Sequence, residues 1–124
     1  MAIGTPFHPR TAALCTSHAW RRWSGHLAAS SYGDFVPPEY AAIRNATAMI
    51  DVSPLYKYTV EGRDAGALLD RVVTHDVGRL QPGQALYTPW CDRYGKVRQD
   101  GTVFRLDSDR YLLGAAEPAI AWLH

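Results

Sequence analysis

Residues 55–61 alternate along the chain, with Tyr56, Tyr58 and Val60 on one side and Lys57 and Thr59 on the other. A two-residue period is that of a half-buried strand, and Gly62 ends it. Over residues 64–74 the period changes: Ala65, Leu68, Leu69, Val72 and Val73 fall on one stripe of a helix. Gln81-Pro82-Gly83 predicts a turn and residues 85–90 a second strand. Asp92 to Gly95 form a hairpin turn into a third strand, 96–106, which Asp100-Gly101 interrupts. Asp107 to Arg110 turn again into a strand over 111–115, and Glu117-Pro118 start a helix that runs to His124. The order strand, helix, three strands, helix predicts an α+β lobe of the split βαβ, ferredoxin-like kind.

The first fifty residues do not fit inside that lobe. Thr11 follows the Pro9 break as a candidate N-cap, and Leu14, His18 and Arg22 recur at helical spacing, so a helix is expected over 11–23. Within Trp20-Arg21-Arg22-Trp23, two tryptophans would then pack at i, i+3 while the arginines reach water. Residues 25–38 contain Gly, Ser and two prolines and read as a loop or linker. Pro38-Glu39 opens a second helix carrying Tyr40, Ile43, Ala46 and Thr47. The expected division is therefore 1–50, an N-terminal segment that wraps the lobe or belongs to another layer, and 51–124, the lobe itself.

Composition narrows the function classes without naming one. At 124 residues, 47% hydrophobic and 20% charged, the chain is one globular domain or a piece of a larger one. Thirteen basic against twelve acidic side chains leave a net charge of +1, which gives no field to gather nucleic acid. No apolar run approaches the roughly 20 residues of a membrane span, and the N-terminus lacks the pattern of a secretory signal. Cys15 and Cys91 lie far apart and form no CxxC, which suits free thiols in a reducing, cytoplasmic setting. His8, His18, His26, His75 and His124 are scattered without ligand spacing, so no metal site is expected. There is no Walker loop and no GxGxxG. Asp100 before Gly101, inside a strand-like stretch, is open to two readings: a hairpin turn or a functional acid.

Read in order, the segments resemble a known family. Ala41-Ala42-Ile43-Arg44-Asn45-Ala46 precedes Asp51-Val52-Ser53; Glu61-Gly62-Arg63-Asp64-Ala65 leads to Thr74-His75-Asp76-Val77. Ala85-Leu86-Tyr87 then precedes Gly95-Lys96-Val97-Arg98-Gln99-Asp100 and Val103-Phe104-Arg105-Leu106. Over roughly residues 20–123 this series is similar to the N-terminal part of the aminomethyltransferase (glycine cleavage T-protein) family, which includes tetrahydrofolate-dependent demethylases. The combined order, rather than any one short motif, carries the likeness.

The resemblance implies a three-lobed fold with tetrahydrofolate in a central opening, residues 1–50 being part of an incomplete first lobe and the rest a second, ferredoxin-like lobe. It implies Asp100 as the catalytic acid near folate N5, with Leu55 and Tyr87 lining the pterin. An aromatic and an aliphatic wall suit a flat ring. Pro54-Leu55 stands where glycine-cleavage members commonly carry His-Met, and Gly114-Ala115-Ala116 stands where members present an Asn. Both departures resemble the demethylase branch, whose donors are methylated amines, sulfur compounds or aryl methyl ethers. The expected function is thus part of a one-carbon transferase, a fragment or split subunit with a small-molecule donor and a second chain supplying the missing lobes. The alternatives are a non-catalytic folate-binding module, whose family cousins lack an acid matching Asp100, and a truncated remnant.

Overall fold

The computed structural model of the chain describes residues 1–123, so the end of the last expected helix, His124, lies outside the described residues. The chain divides into two compact units, unit 1 over Met1–Pro54 and unit 2 from Leu55 onward.

Unit 1 comprises β1 (Ile3–Gly4), α1 (His8–Leu14), β2 (Trp20–Trp23), β3 (His26–Ala29) and α2 (Pro37–Asn45). Its sheet has the order β1-β3-β2, with β1 parallel and β2 antiparallel to β3. Two expectations are corrected here. The helix over 11–23 stops at Leu14, with Thr11 inside it and Phe7 at the N-cap position. Residues 20–23 are a strand, and the stretch 25–38 contains another.

The cause is local. Ser24 (φ 44°) and Gly25 (φ 81°) both take the left-handed conformation, and Trp23 pairs directly with His26. That is a two-residue hairpin turn, whose twist suits the flanking strands. Upstream, the Ser17 hydroxyl donates to the Ser31 carbonyl (2.6 Å) and the Cys15 thiol to the same oxygen (3.4 Å). Such side-chain bonds to backbone compete with helix continuation. On a strand Trp20 and Trp23 point to opposite faces, so they do not stack on each other. Trp20 packs beside His8, ring centroids 4.9 Å apart, and Arg21 lies over the Trp23 indole at 5.7 Å. The Asp51-Val52-Ser53 motif has a structural task. Asp51 accepts the Thr5 hydroxyl on Oδ2 (2.6 Å) and the Ser53 amide on Oδ1 (2.9 Å), tying together the two ends of the unit.

Unit 2 comprises β4 (Tyr56–Glu61), α3 (Ala65–Val72), a 3-10 turn (Val77–Arg79), β5 (Ala85–Cys91), β6 (Val97–Arg105), β7 (Arg110–Ala115) and a single helical turn α4 (Ile120–Leu123). The sheet order is β4-β7-β6-β5 with every pairing antiparallel. Helix α3 joins the two outer strands, which run antiparallel to each other with β7 and β6 between them. The expected α+β class holds. The split βαβ pairing, which needs parallel strands on either side of the helix, is replaced by an all-antiparallel sheet, because hairpins link β5 to β6 and β6 to β7. Ala65, Leu69, Val73 and Val77 pack with Trp90, Val103, Tyr111, Leu113 and Ala115 in one buried cluster. Leu68, expected on the helix stripe, is exposed instead. The Asp70 carboxylate accepts the Val77 amide (2.8 Å) and so fixes the 3-10 turn against the end of α3.

Strand β6 corrects a further expectation, because Asp100-Gly101 does not interrupt it. Pairing with β5 runs through Pro89↔Asp100 and Thr88↔Gly101 without a break. Glycine is required at 101 for space. A Cβ there would lie 2.2 Å from the Gly114 carbonyl oxygen and 3.0 Å from the Trp90 ring. The true hairpin turn is at Asp92, whose Oδ1 accepts the amides of Tyr94 (2.9 Å) and Lys96 (3.0 Å), with Gly95 at φ 74°.

Candidate functional site

Successive residues of a strand face opposite sides of the sheet. In unit 2, Thr88, Trp90, Gly101 and Val103 face the buried cluster, and their neighbours Tyr87, Asp100, Thr102 and Phe104 face the other way. Cross-strand register sets the rows of that second, open face. One row runs Lys57, Gly114, Thr102, Tyr87; the next runs Thr59, Leu112, Phe104, Ala85. Asp100 lies two residues before Thr102 and so stands diagonally from Tyr87. Diagonal positions are within reach of an aromatic side chain.

The structure brings two of the three expected site residues together. The Tyr87 hydroxyl donates a hydrogen bond to Asp100 Oδ2. That bond holds the Tyr87 phenol above the ordinary tyrosine range, and desolvation and the carboxylate charge act in the same direction. Both side chains are exposed on the open face, Tyr87 by 64%. Leu55, half-buried, immediately precedes β4, and its carbonyl accepts the Lys57 ammonium at 2.8 Å. Strands β7 and β6 extend the sheet from β4 toward Asp100, a backbone separation of about 10 Å for two strand spacings.

Two positions not singled out as site residues share this face. Thr102 lies beside Gly114, and a Cβ at Gly114 would meet only the Thr102 carbonyl oxygen at 3.8 Å. The middle of the row therefore has bare backbone between Lys57 and Thr102. Only register reveals this, because Gly114 and Thr102 are distant in sequence and neither residue type signals chemistry.

Unit 1 holds a cavity of about 430 Å³ lined by Trp23, Leu27, Tyr32, Glu39, Met49 and Asp51, among others. Its carboxylates are committed to structure: Glu39 Oε1 accepts the amides of Tyr32 (2.7 Å) and Gly33 (3.0 Å), and Asp51 is engaged as described. Burial, with Asp51, Cys15 and Glu39 adding to it, pushes the Tyr32 phenol up. Among the described residues no group of three His, Cys, Asp or Glu is placed to hold a metal ion. No helix among them is long and apolar enough to cross a membrane.

The family profile described as GCVT N-terminal domain matches residues 7–124. The chain belongs to this family. An aminomethyltransferase of Desulforamulus reducens is 34% identical over 71% of this chain and 28% of its own length. One from Mycobacterium leprae is 38% identical over 73% of this chain and 24% of its own. The sarcosine oxidase subunit alpha of Corynebacterium sp. strain U-96 is 32% identical over 84% of the chain and 11% of that subunit. In three dimensions the chain is similar to the glycine cleavage system aminomethyltransferase T from Bartonella henselae, with a TM-score of 0.82 and 20% identity. That likeness covers 98% of this chain and 33% of the solved one. The GCVT family member described here thus spans about a quarter of the aminomethyltransferase relatives, and its fold is that of part of the T-protein.

Proposed function

We propose that this chain is part of a tetrahydrofolate-dependent one-carbon transferase of the cytoplasm, moving a methyl or methylene unit from a methylated amine, sulfur or oxygen donor. The observation that carries the reading is the Tyr87–Asp100 pair on the open sheet face of unit 2, in a chain of the GCVT family. The residues fit the cofactor. A flat heterocycle with N–H donors suits a face that offers a carboxylate, a phenol ring, bare backbone at Gly114 and an aliphatic side chain at Leu55. When bound, tetrahydrofolate supplies N5 as carrier of the one-carbon unit. Asp100 then holds or takes up a proton at that nitrogen, or offsets positive charge developing on the donor. Leu55 and Tyr87 orient the ring by packing, and orientation is worth up to about 7–11 kcal/mol of the barrier when the geometry is ideal.

A second polypeptide chain supplies the remaining lobes. Support for this partner comes from unit 1, which buries Thr5, Cys15 and Pro54 but no large hydrophobic side chain. Ile3, Phe7, Phe35, Ile43, Met49 and Ile50 are all exposed. So much apolar surface on 54 residues is unusual for a free-standing unit and marks an interaction face.

Calorimetry with tetrahydrofolate tests both parts. The chain alone is expected to bind negligibly, because one open sheet face buries too little ligand to offset the entropy of association. Adding the polypeptide that corresponds to the rest of an aminomethyltransferase is expected to create micromolar binding and to slow amide hydrogen exchange in unit 1. Micromolar binding by the chain alone would remove the need for a partner. An assembly that binds no folate would end the folate reading, and one that binds without turnover would be a folate-binding module.

A further inference from the structure

We propose that Tyr87 is the positioning residue of Asp100: its hydroxyl holds the carboxylate through Oδ2 on the open face and leaves Oδ1 to meet the ligand. The inference deepens the reading of Asp100 given above and rests on it for its catalytic meaning. The Asp100 backbone is already fixed on two sides. Pro89 stands across from it on β5, and Gly101 after it is confined by the Gly114 carbonyl and the Trp90 ring. What remains free is the side chain, with staggered wells at χ1 and a broad torsion at χ2. An exposed aspartate without a partner samples several of these.

Among the described residues, the side-chain donor to Asp100 is the Tyr87 hydroxyl. A hydrogen bond to a carboxylate is shorter and stronger than one between neutral groups, so it selects one orientation. Tyr87 itself, on the edge strand β5, is anchored by its pairing with Thr102 on β6. Its own freedom is limited to two torsions, which makes it an economical brace. A reacting carboxylate must be held within about 10–20° of its productive direction, and among the described residues the Tyr87 hydroxyl is the side-chain group that does so for Asp100.

The test uses the full 124-residue chain, labelled with ¹³C and ¹⁵N, and needs neither folate nor turnover. Three-bond couplings from the backbone N and C′ of Asp100 to Cγ read the χ1 populations. A single rotamer is expected in the native chain and averaged couplings in Tyr87→Phe, with the backbone shifts of Gly101 and Val103 unchanged. The second measurement approaches from the other side. The Tyr87 Cζ titration should move down toward the ordinary tyrosine value in Asp100→Ala and stay in place in Asp92→Ala, a change in the distant hairpin.

Averaged Asp100 couplings in the native chain, or a Tyr87 titration unmoved by Asp100→Ala, would overturn the assignment. Its failure is separable from that of the catalytic reading. Turnover retained by Asp100→Asn would end the catalytic role with the couplings still showing one rotamer. Averaged native couplings would end the brace with Asp100 still essential.

Discussion

Asp100→Asn in the assembled enzyme is expected to lower kcat on the order of 10²-fold or more while changing folate affinity much less. The substitution keeps the shape, and the amide oxygen can still accept the Tyr87 hydroxyl, so the open face should be preserved. What it removes is the negative charge and the capacity to take a proton. A positioned acid or base contributes typically 10²–10⁴-fold. A group whose interaction strengthens in the transition state shows its loss in kcat rather than in ground-state binding. The turn alternative for Asp-Gly would have anticipated near-normal turnover, since Asn serves a turn as well as Asp does. The pairing of Asp100 within β6 already places the residue outside any turn. Steady-state kinetics beside folate calorimetry checks the prediction, and undiminished kcat in Asp100→Asn would remove the residue from catalysis.

The largest stability effect is expected at the next residue. Gly101→Ala should destabilise unit 2 by about 3 kcal/mol or more, the upper range for overpacking a well-filled core. The added Cβ would sit 2.2 Å from the Gly114 carbonyl oxygen, which belongs to the neighbouring strand and cannot rotate aside. Its second contact, the Trp90 ring at 3.0 Å, belongs to a side chain that is 1% exposed and has nowhere to move. Relief therefore requires β6 and β7 to separate, which would also displace Asp100. The matching change at Gly114 is expected to be mild, because a Cβ there meets its first atom at 3.8 Å. Urea denaturation followed by tryptophan fluorescence distinguishes the two variants, and equal midpoints for Gly101→Ala and the native chain would contradict the packing argument.

Legibility followed the range of the interactions involved. Residues 55–61 and 64–74 were readable because strand and helix periods there coincide with the face each element buries: Tyr58 and Val60 on one side, Ala65, Leu69 and Val73 on the other. Residues 11–23 misled because Leu14, His18 and Arg22 mimic a helical period in a segment with no core to enforce it. The decisive signal was the short Ser24-Gly25 turn, which reverses the chain and converts the tryptophan pair into opposite faces of a strand. Asp100-Gly101 misled in a related way. An Asp-Gly pair has the same local signature whether glycine is needed for a left-handed turn or for a close approach by another strand.

The sequence by itself determined the α+β order of unit 2, the family likeness and, through it, the candidate residues Leu55, Tyr87 and Asp100. Those depend on local periodicity and on motif order, which a linear chain displays. Only the tertiary structure decided that β6 is continuous, that Tyr87 donates to Asp100, and that Gly114 leaves bare backbone beside them. The reason is physical: cross-strand register pairs residues many positions apart, and it is fixed jointly by the buried face of the sheet and its turns.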